Sequence, residues 1–231
     1  MKTKTPDSRL RAAAEFVRQE AIFADIGTDH AYLPVFLLEK GVIRHAYAAD
    51  IGEGPLASAK RTVEECGFQK NVTLVLTDGL TGLDSCGITD IAICGMGGEL
   101  IADIISAAPF VKSKSIRLIL QPMTRAAHLR RFLAKEGFAV VSERITRAKG
   151  KLYFCLAAEY TGEAYTLLPV EEELGSYNIQ AKEKDVLFYE MLEQKIRASS
   201  RRLDGLLKSG QEGSEEAAYL ASLKALRRTE L

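Results

Sequence analysis

The chain has 231 residues, a hydrophobic fraction of 47%, and 31 basic against 31 acidic side chains. That length suits one ordinary domain of about 150 residues plus an extension, with enough apolar content for a real core. Zero net charge excludes a global polyanion-attracting field, so any nucleic-acid contact must come from a local patch. No apolar run reaches the roughly 18 residues of a membrane span. The start "MKTKTPDSRLRAAAEF" has no apolar stretch of the kind that directs secretion. Cys66, Cys86, Cys94 and Cys155 are scattered, which fits reduced cytosolic thiols and no metal site.

In chain order, short apolar runs alternate with helical patterns, the signature of a parallel sheet. Strands are predicted at Ile22–Asp25, Ala46–Asp50, Val72–Leu76, Asp90–Cys94 and Ile116–Gln121. The intervening helices are Tyr32–Lys40, Pro55–Cys66, Gly98–Ala107 and Arg125–Glu136. Pro55 suits a first helical turn, and Gly41, Gly67 and Gly137 fall where left-handed caps end helices. Two further strands, Ala139–Ile145 and Lys151–Ala158, flank the basic turn Thr146–Gly150. So close a pair has to be antiparallel, because a parallel crossover needs about a dozen residues. Five parallel strands with an appended hairpin predict a Rossmann-like α/β methyltransferase sheet over residues 1–160. Beyond a linker, residues 161–231 read as a helical domain. One helix runs from Lys182 to Leu207, and Ser214 is placed to cap a second carrying Leu220, Leu223 and Leu226. Two such helices joined by a short turn predict an antiparallel hairpin.

The stretch "FADIGTDHAYLP" puts Asp25, Gly27, Asp29 and His30 at the carboxyl end of the first strand, where open parallel sheets bind ligands. Gly27 lets a ligand approach the backbone, and the two aspartates favour a cation over a pyrophosphate. The dinucleotide fingerprint is missing, since positions 29 and 32 are Asp and Tyr. Asp50 ends the second strand where an acidic residue holds ribose hydroxyls. Asp78 follows the third and can accept from an adenine amino group. "CGMGG" leaves backbone exposed after the fourth. A cationic amino acid, a ribose and an adenine together describe S-adenosylmethionine. An aspartate after a strand is usually a cap, and "GMGG" can be a close-packed junction. Four successive polar strand ends are poorly explained that way.

Together with "RL" at Arg9–Leu10, "AADIGEGPL", "TDGL", "ICGMGGELI" and "LILQP", these motifs resemble the bacterial tRNA adenine-N1 methyltransferases that act on adenine 22 of tRNA. The similarity runs through most of residues 8–160, and the tail fits that family's coiled-coil C-terminal domain. The resemblance implies a cytoplasmic, S-adenosylmethionine-dependent enzyme with tRNA as partner, no membrane association, and an oligomeric state left open between monomer and assembly. Its implied cofactor set is Arg9, Asp25, Gly27, Asp29, His30, Asp50, Ile51, Asp78, Gly79, Gly95, Met96 and Gly97. "LQPM" departs from the family's "LQPN", so Met123 bears on how the target base is held.

N1 of adenine carries an in-plane lone pair and no proton, so positioning matters more than a strong base. Asp29 is the candidate catalytic residue, stabilising the positive charge that develops on the base. Phosphate contacts are expected from Lys2, Lys4, Arg9 and Arg11; from Arg125, Arg130 and Arg131; and from Arg144, Arg147, Lys149 and Lys151. Two other readings stay open here: a methyltransferase of a small molecule or protein, and an S-adenosylmethionine-binding regulator without turnover.

Overall fold

The computed structural model describes residues 6–181 and 185–228. Lys2, Lys4 and the expected helix start at Lys182 lie outside them. The chain divides into two compact units, one up to Tyr165 and the other from Thr166 onward.

The first unit is built on seven strands: β1 Ala21–Ile26, β2 Ile43–Asp50, β3 Val72–Leu76, β4 Asp90–Gly97, β5 Arg117–Thr124, β6 Phe138–Ala148 and β7 Lys151–Tyr160. Their spatial order is β3-β2-β1-β4-β5-β7-β6. The first five are mutually parallel, while β7 runs antiparallel to β5 and to β6. The helices are α1 Ser8–Ala14, α2 Tyr32–Glu39, α3 Glu53–Cys66, α4 Gly98–Ser106 and α5 Ala126–Lys135. Successive strand residues point to opposite faces, and both faces are covered. Phe23, Ala46, Ala92 and Ile119 pack on one side with Ala13, Leu33, Leu37 and Val63 from α1, α2 and α3. Ala24, Ile91, Ile93 and Leu120 pack on the other with Ile101, Ile105, Leu129 and Leu133 from α4 and α5. β1 pairs with β2 on one side and β4 on the other, so the order of the parallel strands reverses beside it.

In this unit, the start of α3, the β6–β7 turn and the end of β7 depart from expectation. The helix α3 begins at Glu53, two residues before Pro55, because Gly52 is held as its N-cap by a hydrogen bond from its N–H to Asp50 Oδ1 at 2.9 Å. β6 continues to Ala148, so only Lys149 and Gly150 remain as the turn. β7 reaches Tyr160, and residues up to 165 stay with the first unit, where Tyr165 N–H donates to Ala134 O and its hydroxyl to Phe138 O.

The second unit contains α6 Pro169–Leu174, α7 Ser176–Gln180, α8 Val186–Lys208 and α9 Ser214–Arg228. Asp185 caps α8, accepting from Leu187 and Phe188 N–H groups. Ser199 and Arg202 meet Glu216, while the earlier Glu193 meets the later Arg227, so α8 and α9 run antiparallel. Leu192, Ile196, Leu220 and Leu223 are buried. Ser214 does not cap α9; it is the helix's first residue and donates to Glu212 at 2.8 Å. Among the described residues, no helix is long and apolar enough to cross a membrane.

Candidate active site at the carboxyl edge of the sheet

Asp25 is the next-to-last residue of β1 and almost completely buried. Its carboxylate accepts a hydrogen bond from Thr28 Oγ1 at 2.7 Å. Burial pushes its pKa up to about 6, against the Thr28 bond and with help from the negative charge of Asp50. A buried carboxylate in that condition is a site that a cation would stabilise.

Asp50 organises two loops at once. Its Oδ1 accepts from Gly52 N–H, and its Oδ2 faces Asp29 N–H at 3.4 Å. Its backbone carbonyl accepts from Thr77, tying the β3 exit to the same edge. The turn after β1 is strained: Asp29 and Ala31 adopt φ of 47° and 55°, left-handed values that cost non-glycine residues about 1–3 kcal/mol each. That turn exposes the Asp29 carboxylate and stacks the His30 ring on Tyr32 at 5.0 Å, with 11° between planes. Asp29 and His30 approach each other at 3.6 Å.

Gly27 has φ of 72°, and a Cβ there would lie 2.2 Å from Met96 Cε, so the β4 exit covers it directly. Gly95, at φ 81°, has open space where a side chain would stand. Gly98 serves packing instead, because its Cβ would meet Arg125 O at 2.4 Å. The glycine run therefore combines an open strand end with a close-packed helix start. Gly97 is the N-cap of α4, and Ile51 stands 71% exposed at the end of β2.

Arg9 reaches the edge from α1. It donates from Nε and Nη2 to Asp7 Oδ2 at 3.1 and 2.6 Å, and from Nη1 to Gln121 Oε1 at 3.4 Å and Met123 Sδ at 2.7 Å. Burial pushes the Asp7 carboxyl up, but the bonds from Arg9 and Leu10 outweigh it and hold the group below its ordinary range. Arg9 is therefore engaged within the site and is not a free phosphate contact. Arg130 is corrected more sharply: it is buried on Glu143 and cannot face a phosphate. Arg144 is paired with Glu15.

Asp78 and Gly79 line a cavity of about 260 Å³ with Thr81, Leu100, Asp103 and Ile104. Asp25, Gly27 and Asp50 lie outside its lining, so the predicted residues fall into an Asp25–Asp50 cluster and an Asp78 cavity along one edge. Thr28, Asp7 and Gln121 were missed by sequence reasoning. Thr28 sits within the "DIGTDH" motif, and the Asp7-x-Arg9 spacing was the available signal for the second pair. Gln121 carries none beyond its place in "LQP".

A family model described as a methyltransferase domain matches residues 7–156. The tRNA (adenine(22)-N(1))-methyltransferase of Bacillus subtilis (strain 168) is 37% identical over 191 residues, covering 82% of this chain and 80% of that one. The crystal structure of the B. subtilis m1A22 tRNA methyltransferase TrmK superposes with a TM-score of 0.82 at 31% identity, covering 97% of this chain and 99% of that one. A Streptococcus pneumoniae protein, Sp1610, solved in complex with S-adenosyl-L-methionine, also gives 0.82 at 31% identity, covering 95% and 98%. The chain belongs to the methyltransferase-domain family and, within it, to the tRNA (adenine(22)-N(1))-methyltransferases.

Proposed function

We propose that this protein transfers the methyl group of S-adenosylmethionine to N1 of adenine 22 in tRNA, the activity named for its Bacillus subtilis relative. The observation that carries the reading is the buried Asp25 beside Asp50 at the ends of adjacent parallel strands. Two acidic strand ends suit a cationic amino acid and ribose hydroxyls and oppose a pyrophosphate. S-adenosylmethionine supplies an electrophilic methyl group. Asp25 and Arg9 face its charged methionine end, with Gly95 and Gly97 giving backbone access and Met96, which lies over Gly27, closing the β1 turn beside it. Asp50 takes the ribose hydroxyls, Ile51 covers the adenine, and Asp78 with Gly79 accepts the adenine edge.

Asp29 is the proposed catalytic residue. Adenine N1 has no proton to lose, so no general base is required. The base would become cationic as its N1–carbon bond forms and the methyl carbon–sulfur bond breaks, the electron pair leaving with sulfur as a neutral thioether. A nearby carboxylate stabilises the charge on the base. The N1 edge is paired in most folded RNA, so the nucleotide must first turn out of its stack. Asp29→Asn is expected to lower kcat at saturating cofactor by more than about tenfold, or about 1.4 kcal/mol. His30→Asn is expected to be milder. An inactive His30→Asn enzyme with intact cofactor and tRNA binding would exchange the two roles. The activity itself is tested by mass spectrometry of tRNA nucleosides: 1-methyladenosine should appear on incubation with S-adenosylmethionine and be absent from a tRNA lacking adenine 22.

The unit from Thr166 onward is proposed to be a short antiparallel coiled coil that helps dock the RNA, on the strength of the α8–α9 pairing. An enzyme acting on tRNA would work in the cytoplasm.

A further inference from the structure

The β6–β7 hairpin carries a charge pattern that the cofactor site does not use. β5 ends at the catalytic edge, and β7 runs antiparallel to it with Leu120 opposite Leu156. The start of β7 and the turn before it therefore rise at that same edge, on the flank where Arg9 enters. Four basic residues, Arg144, Arg147, Lys149 and Lys151, lie within eight positions there, and all are exposed. Those positions hold no acidic residue, and Glu143 just before them points into the core on Arg130. Arg144 is neutralised by Glu15. Lys149 and Lys151 meet no carboxylate within ion-pair distance among the described residues.

The turn itself is built to present this charge. Lys149 and Gly150 have φ of 46° and 75° and join Ala148 to Lys151 in two residues. Two-residue hairpins of this handedness favour asparagine, aspartate or glycine at the first position, so lysine there is locally unfavourable. α1 buttresses the strand below: Ser8 donates to Arg147 O, and Thr146 Oγ1 donates to Ser8 O at 3.4 Å. The exposed Arg11 stands on that same helix.

We propose that this hairpin is the phosphate-docking arm for the RNA substrate, with Lys149 and Lys151 contacting the backbone beside the methylated nucleotide. The inference rests on the tRNA reading above. It goes beyond that reading by assigning the contact to one element and removing Arg130 from the set of candidates. Phosphate contacts position a nucleic acid without reading its sequence, which suits a hairpin beside a pocket that receives a single base.

The test uses the full chain. Lys149→Asn suits the left-handed turn and removes the charge, so it should not lower thermal stability; Lys151→Gln removes the second charge. Lys114→Gln serves as the control, because exposed Lys114 precedes β5 at the opposite edge of the sheet. Binding of fluorescent tRNA is measured by anisotropy across a salt series, alongside S-adenosylmethionine affinity. The double variant should bind tRNA at least about tenfold more weakly, with a log–log salt slope shallower by about 2, one per lost contact. Cofactor affinity and the Lys114→Gln control should not change. Unchanged tRNA affinity and slope in the double variant would overturn the assignment, as would an equal loss in the control. A wild-type protein that binds tRNA but makes no 1-methyladenosine would instead count against the proposed reaction and leave the docking result readable.

Discussion

Replacing Glu143 by leucine is expected to destabilise the protein by about 3–5 kcal/mol, the range for breaking a buried ion pair from one side. Arg130 donates from Nε and Nη2 to Glu143 Oε1 at 3.0 and 2.5 Å, and its guanidinium lies 4.1 Å from the centre of the Phe154 ring. Both side chains are essentially inaccessible to solvent, at 2% and 0%. The two partners are not equivalent. Without Glu143, a guanidinium that cannot shed its proton is left in the core. Without Arg130, the carboxyl can take up a proton, and burial already pushes its pKa above the ordinary range against the pull of Arg130. Arg130→Met should therefore be milder than Glu143→Leu, and its stability should decline as pH rises through the carboxyl's elevated pKa. The double replacement should recover most of the loss, since a well-packed apolar pair is often neutral. Urea unfolding measures all three variants. A Glu143→Leu loss below about 1 kcal/mol would show the pair to be unimportant.

Asp25→Asn is expected to stabilise the unliganded protein while weakening cofactor binding. A carboxyl held near pKa 6 in the fold, against an ordinary 3.8, binds protons more tightly when folded. Its contribution opposes folding above pH 6 and vanishes below about pH 4, as stability falls on raising the pH between those limits. The interval corresponds to about 3 kcal/mol at most. Tm against pH should thus show the variant above wild type at pH 7.5 and level with it at pH 4. A cation in the site would draw the Asp25 pKa back down. Wild-type affinity for S-adenosylmethionine should accordingly fall as pH drops below 6, with proton release on binding. Parallel Tm profiles for the two proteins, or equal cofactor affinity, would contradict this role.

The sheet was legible because its strands are short apolar runs closed by aspartate or glycine, and local composition alone defines them. β6 was read as ending at Ile145 because Arg147, close to Lys149 and Gly150, looks like a turn residue. Its outward side chain is flanked by buried Thr146 and Ala148 on an edge strand, a pattern that charge alone disguises. Pro55 misplaced the start of α3, since the true cap depends on the Asp50 carboxylate turning back onto Gly52 N–H. In the site, Asp25 and Asp50 were visible as strand ends. The pairing of Arg130 with Glu143 and the reach of Arg9 to Gln121 were not, because each joins residues that only the folded sheet brings together.

The most direct test of the central claim, that this edge is an S-adenosylmethionine site, is titration calorimetry on wild type and Asp50→Ala. Wild type should bind S-adenosylmethionine and give no binding heat with NAD. Asp50→Ala should bind at least about tenfold more weakly, while kcat at saturation changes far less, because ribose contacts are shared by ground and transition states. Binding of NAD in preference to S-adenosylmethionine, or an Asp50→Ala protein with wild-type affinity, would contradict it.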